Sequence, residues 1–195
     1  MRRPILLTAA LPLALILVTG ATSQVTSQSK PSRDAGDAVA VPVGVASATT
    51  LGSFATPAFV QNAARSDMYE IRAAKLAEEK SSTPEIKKFA AEMIKAHTKT
   101  TVGLKKAIAM GHVKTAFPTR LDARRQGMID NLRASSGGEF DKRNVAQQIA
   151  AHQETLDLMK GYAARGHNDA LKDAASKTAA LVESHLEMAK ALPGA

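Results

Sequence analysis

The sequence predicts an all-α fold, an antiparallel four-helix bundle with a long connection between its second and third long helices. Three observations carry this. Hydrophobic residues make up 45% of the chain but aromatic ones only 4%, with alanine prominent, a balance that suits closely packed helices better than a β-sandwich. Apolar residues recur at spacings of three and four through four long stretches. Thr-Pro pairs and glycines punctuate those stretches where helices start and stop.

Before the helices lie two segments of another kind. Residues 1–21 read as a signal peptide: Arg2 and Arg3 form a basic start, Ile5–Val18 an apolar run, and Gly20, Ala21 and Ser23 a small-residue cleavage region. The run is shorter than the roughly 18–20 residues of a spanning helix, so no transmembrane span is expected in the mature chain. Residues 22–55 read as a disordered linker, interrupted by Pro31, Gly36, Pro42, Gly44 and Gly52. A helical-bundle domain is expected over 56–195. The localisation that follows is export, to the periplasm or outside the cell.

The first long helix is expected from Thr56 as N-cap and Pro57 to about Lys80. Its inward stripe is Val60, Ala63, Asp67, Glu70, Ala74 and Ala77, flanked by Phe59 and Ile71. Thr83-Pro84-Glu85 repeats the start signal, and the second helix runs to Met110 before Gly111. Its stripe is Ile86, Ala90, Met93, His97, Thr100, Leu104 and Ala107. The short link makes these two antiparallel neighbours. Within the long connection a short helix is expected over Thr119–Arg133, with Thr119 as N-cap. The third long helix runs from Glu139 to about Arg165, with Val145, Ile149, His152, Leu156 and Met159 inward. The fourth runs from Asn168 to Leu192, with Leu171, Ala174, Thr178, Leu181, His185, Met188 and Leu192 inward.

Composition narrows the chemistry. There is no cysteine, which excludes disulfides, thiolate metal sites and cysteine nucleophiles. The net charge is +8, but the bases are spread over every helix without interleaved aromatics. That pattern describes solvated helix faces rather than a nucleic-acid site. An envelope protein or an anionic surface remains a fitting partner. No P-loop, dinucleotide fingerprint or Ser/His/Asp arrangement is present, and a non-enzymatic role is favoured over a metal-dependent oxidoreductase.

One constellation stands out. Glu70, His97, His152 and His185 each fall in phase with the apolar stripe of a different long helix, near its middle. Counted from their shared turn, Glu70 and His97 differ in depth by only about 5 Å. Three imidazoles and a carboxylate in one layer can hold one divalent transition metal such as zinc, iron or copper. The same residues can instead form a hydrogen-bonded polar layer that sets helix register. Met68, Met93, Met159 and Met188, one per long helix, raise thioether copper binding as a side possibility, against ordinary gap-filling in an alanine-rich core.

The set Phe59-Val60, Glu70-Ile71, Lys75-Leu76-Ala77, Phe89-Ala90, Met93, His97, Gly138-Glu139-Phe140-Asp141, His152 and His185 resembles the exported bacterial ferritin-like family of unknown function, often labelled putative outer membrane protein. The resemblance implies a ferritin-like four-helix fold and export, and no established reaction. One departure is chemical. Ferritin-like di-iron sites use Glu-x-x-His, whereas Ile94, Ile149 and Val182 precede the three histidines by three residues. A di-iron oxidase or mineral site is therefore not expected.

Overall fold

The computed structural model describes residues 55–195; the expected signal peptide and, except for Ala55, the linker lie outside them. The described residues form five α-helices and no strand: α1 Thr56–Lys80, α2 Pro84–Met110, α3 Ala123–Ala134, α4 Gly137–Arg165 and α5 Asp169–Lys190. None is long and apolar enough to cross a membrane. α1 pairs with α2 and α4 with α5, while α1 also packs on α4 and α2 on α5.

Two apolar clusters show how the helices run. One contains Ala73, Ala74 and Ala77 of α1, Ile86, Phe89 and Met93 of α2, Phe140 and Val145 of α4, and Ala189 of α5. The other contains Phe59 and Val60, Leu104 and Ala107, Leu156 and Met159, and Leu171 and Val182. The order in which each helix visits the clusters makes α1 and α5 run one way and α2 and α4 the other. Every packed pair among the four long helices is thus antiparallel. α2 ends at one end of the helices and α4 begins at the other, so the chain between them must travel back along their length. That is the physical reason for the long connection.

α3 lies within this return. Met128, Ile129 and Leu132 are buried in the first cluster, and α3 packs on α1 and α4. Its charged side is held by Glu154 of α4, which accepts from Arg124 at 2.5 Å and Arg125 at 2.7 Å. Arg125 also pairs with Asp122 at 2.6 Å. Lys80 donates to the carbonyls of Leu132 and Arg133, placing a cation at the negative end of α3. On the near side of the connection, Gln61 donates to the Ala116 carbonyl at 2.5 Å.

The helix starts differ in detail from the sequence expectation. α3 begins after Asp122, not at Thr119, because the Asp122 carboxylate accepts from the Arg125 amide at 2.9 Å and caps the first turn. α1 has Ala55 at its N-cap; Thr56 instead shares a 2.8 Å hydrogen bond with the Tyr162 hydroxyl. Thr83 holds the N-cap position of α2 without capping it, since its hydroxyl donates to Asp141 of α4 at 2.7 Å. In each case a tertiary partner or a nearby carboxylate outcompetes the local hydroxyl-to-amide bond. Asn168 does cap α5, accepting from the Leu171 amide at 3.1 Å, and its side-chain amide also donates to the Gly111 carbonyl. α4 begins at Gly137, two residues earlier than expected, and α5 ends at Lys190, two residues earlier.

The buried stripes of α1 and α2 match the expectation closely, with Ile71 and Thr100 only half-buried. In α5 the buried set is Leu171, Ala175, Ala179, Val182, His185, Leu186 and Ala189, so Ala174, Thr178 and Leu181 lie at its margin. Met188 is 40% exposed, whereas Met93 and Met159 belong to opposite clusters. The four methionines therefore do not converge on one site.

A candidate metal centre at the three-histidine layer

Glu70, His97, His152 and His185 are all buried, at 1–2% exposure. His97 and His152 fall between the residues of the two apolar clusters on their helices, Glu70 follows Tyr69 of the first cluster, and His185 sits between Val182 and Leu186 of the second. The imidazoles of α2, α4 and α5 form a nearly equilateral triangle, with ring centroids 5.6, 5.5 and 5.6 Å apart. One nitrogen from each ring lies within 4.8 Å of the other two. A tetrahedral ion at about 2.1 Å from its ligands needs nitrogens about 3.4 Å apart, which small ring rotations supply. Three buried histidines so arranged can hold a metal ion.

The outer nitrogens are already committed. His97 Nδ1 faces Asp67 Oδ1 at 2.9 Å, and the same carboxylate accepts from Thr100 at 2.8 Å and Thr101 at 2.9 Å. His152 Nδ1 donates to the Gln148 carbonyl at 2.9 Å. These bonds leave His97 Nε2 and His152 Nε2 without partners, and His185 Nδ1 has none either. A carboxylate or carbonyl on the far nitrogen is how proteins orient a metal-ligating imidazole and fix its tautomer.

Glu70 stands beside the triangle. Its Oε1 is 3.7 Å from His152 Nδ1, the nitrogen bonded to the helix carbonyl, and neither carboxylate oxygen makes a hydrogen bond of ordinary geometry, the Gln148 amide being its polar neighbour. Burial pushes its pKa up to about 7, opposed by the charge of His97 and the neighbouring Gln148 amide. Burial also lowers His152 to about 3, with repulsion from a charged His97 adding to the effect, and it lowers His185 to about 3 for the same reasons. His97 moves the other way. Burial disfavours its charge, but the Asp67 hydrogen bond and the Glu70 and Asp67 carboxylates outweigh that. The metal-free layer thus favours one imidazolium, two neutral imidazoles and a carboxyl poised near neutrality.

Asp67, Thr100 and Thr101 belong to this centre although the sequence pattern marked only Asp67 and Thr100, and those merely as stripe positions. The usable signal was a charged residue one turn before Glu70 on the same inward face. Gln148, one turn before His152, gave no signal, because a glutamine on a helix is ordinarily solvated. His112 and His167 lie in turns outside the helices, as expected.

No curated protein and no solved structure matches the chain. Residues 41–192 match the family model of a domain of unknown function, DUF4142. The chain, with its all-helical architecture and its three clustered histidines, belongs to the DUF4142 family.

Proposed function

We propose that this chain is an exported, ferritin-like four-helix-bundle protein that binds one divalent transition-metal ion through His97, His152 and His185, with Glu70 as the neighbouring carboxylate. Metal buffering or sensing in the cell envelope is the role that follows. The observation that carries the reading is that each of the three clustered histidines keeps one buried nitrogen without a partner, His97 Nε2, His152 Nε2 and His185 Nδ1. A layer serving only helix register would satisfy its polar atoms with one another, because each buried orphan costs about 1–3 kcal/mol. Here Nδ1 of His97 and of His152 is bonded while the other nitrogen of each is free, and the three rings cluster, an arrangement that a cation would complete. Imidazole donors without thiolate suit zinc, copper, iron or nickel. The export part of the reading rests on Arg2, Arg3 and the Ile5–Val18 run.

The test is metal content. The intact chain, stripped with chelator and equilibrated with zinc, is expected to retain one equivalent after desalting. His97→Ala and His185→Ala are each expected to abolish stoichiometric retention. Substoichiometric zinc, copper and iron in the parent protein would sink the proposal. Asp67→Ala is a finer probe. Loss of the carboxylate that orients His97 is expected to weaken metal affinity about 10–100-fold, measured by competition with a chromophoric chelator. Unchanged affinity would mean that Asp67 serves the fold alone.

A second reading, an interaction module for anionic surfaces, is favoured by one feature. Between Met93 and Leu121 every fully charged residue is basic: Lys95, Lys99, Lys105, Lys106, Lys114 and Arg120. Val102 and Met110 are 63% and 64% exposed in the same stretch. Salt-sensitive binding to anionic vesicles that is indifferent to metal would support it.

A further inference from the structure

Three imidazoles supply three ligands, and what completes the coordination decides what the centre can do. Closed metal sites in proteins take four protein ligands, whereas reactive ones take three and keep a position for an exchangeable ligand. Glu70 is the obvious fourth candidate, yet it approaches His152 from the Nδ1 side, at 3.7 Å, and the nitrogens of the three-histidine grouping form it without a carboxylate oxygen.

Gln148 is the second observation. It is 1% exposed, and its side-chain amide meets no hydrogen-bond partner at ordinary geometry, while interacting with the Glu70 carboxyl. Its neighbour Gln147 shows what a structural glutamine does in this fold: it accepts from the Tyr69 hydroxyl at 2.8 Å and donates to the Met128 carbonyl at 3.4 Å. Gln148 lies one turn before His152 on α4, next to the Glu70 carboxyl. A fully buried amide beside a carboxyl and a ligand histidine, with one N–H and its carbonyl oxygen to spare after the interaction with Glu70, is placed to hold a small polar ligand on the metal.

We propose that the metal bound by His97, His152 and His185 keeps one exchangeable coordination position, bordered by Gln148 and Glu70, and that this position takes a small anion of the size of azide or hydroxide. The inference rests on the metal reading above. The exchange is a simple ligand substitution: the bond from metal to water breaks, a bond from metal to anion forms, and no electron is transferred. The Gln148 amide donates to the bound anion. Burial of every residue involved sets the size limit. The roomy groove of the molecule, about 410 Å³ between α2 and α5, is lined by Lys99, Lys106, Lys177 and Leu181 among others, and by none of the four residues of the layer.

Cobalt(II) is the probe, because its visible spectrum reports coordination number and ligand exchange. The intact chain is loaded with one equivalent of cobalt(II) and titrated with azide. A saturable spectral change is expected. Gln148→Leu should still load cobalt(II), with its azide Kd raised about tenfold, the loss of one hydrogen bond to a charged ligand. Should that variant fail to fold by circular dichroism, Gln148→Asn, which withdraws the amide by one methylene, is expected to show the same weakening. A spectrum indifferent to azide in the parent, or an azide Kd unmoved by either Gln148 variant, overturns the proposal. So does a response that appears only in Glu70→Ala, which would make Glu70 the closing fourth ligand. If cobalt(II) itself does not bind, the metal reading falls and this inference with it; if it binds and azide is silent, only this inference falls.

Discussion

Held free of metal, the protein is expected to be most stable near pH 6.5 and to lose stability about twice as steeply below pH 4.5 as just above it. The sign of each contribution follows from where the proton sits. His152 and His185 have folded pKa values lowered to about 3 from 6.5. The unfolded chain protonates them as the pH falls through 6.5, while the folded chain refuses the protons. Their stabilisation is complete above 6.5 and is lost on the way down to 3. Glu70 opposes them. Its folded pKa of about 7, against 4.5, gives stability that is complete below 4.5 and is lost as the pH rises to 7. His97, raised above 6.5, likewise loses its stabilisation only on the alkaline side.

Each unmatched proton contributes a slope of about 1.4 kcal/mol per pH unit. Between 4.5 and 6.5, Glu70 cancels one of the two histidines; below 4.5 it no longer does, and the slope doubles. Urea unfolding at half-unit pH steps in chelator measures this. Asp122, held below its usual range mainly by the Arg125 backbone and side chain acting against burial, adds its own acid limb. The comparison with His152→Gln/His185→Gln isolates the centre, and an identical acid limb in that variant would refute the assignment. Zinc at about a hundred times its Kd should add about 2.7 kcal/mol at pH 7, a gain that fades on acidification as protons compete for the imidazoles.

Glu154→Ala is expected to cost about 3–5 kcal/mol, the usual penalty for leaving a buried charge without its partner. Glu154 and Arg125 are each 5% exposed, and the glutamate is shared between Arg124 and Arg125. Its removal leaves Arg125 with Asp122 alone. The damage falls on the attachment of α3, whose Met128, Ile129 and Leu132 are buried on that ion pair's inner side. Replacing the pair by apolar residues of similar volume, Arg125→Met with Glu154→Leu, should recover most of the loss, because the desolvation cost disappears with the charges. Urea midpoints of the single and double variants decide the matter. A single variant within about 1 kcal/mol of the parent would show that water reaches Arg125 and that the pair is not closed.

Much of this protein was legible in its sequence. Alanine-rich stripes at helical spacing and glycine stops located the four long helices to within about two residues, because those signals act through local backbone and burial energetics. Stripe phase also identified Glu70, His97, His152 and His185, since a polar residue at an apolar position is visible in the pattern alone. The capping of α1, α2 and α3 was not legible. Thr56, Thr83 and Asp122 choose among partners that include residues distant in sequence, and hydroxyl-to-amide bonds worth about 1 kcal/mol yield readily to a buried phenol or a carboxylate.

The division within the centre was decided only by tertiary structure. Sequence spacing sets depth along one helix and the face a residue occupies, but not the rotation of four helices against one another. That rotation brings the three imidazoles together, sets Glu70 beside them, and joins Asp67 of α1 to His97 of α2. The sequence by itself determined an all-helical chain with a polar layer at mid-depth. Packing decided which nitrogens of His97 and His152 stay unpartnered, because hydrogen bonds to Asp67 and to the α4 backbone occupy the others.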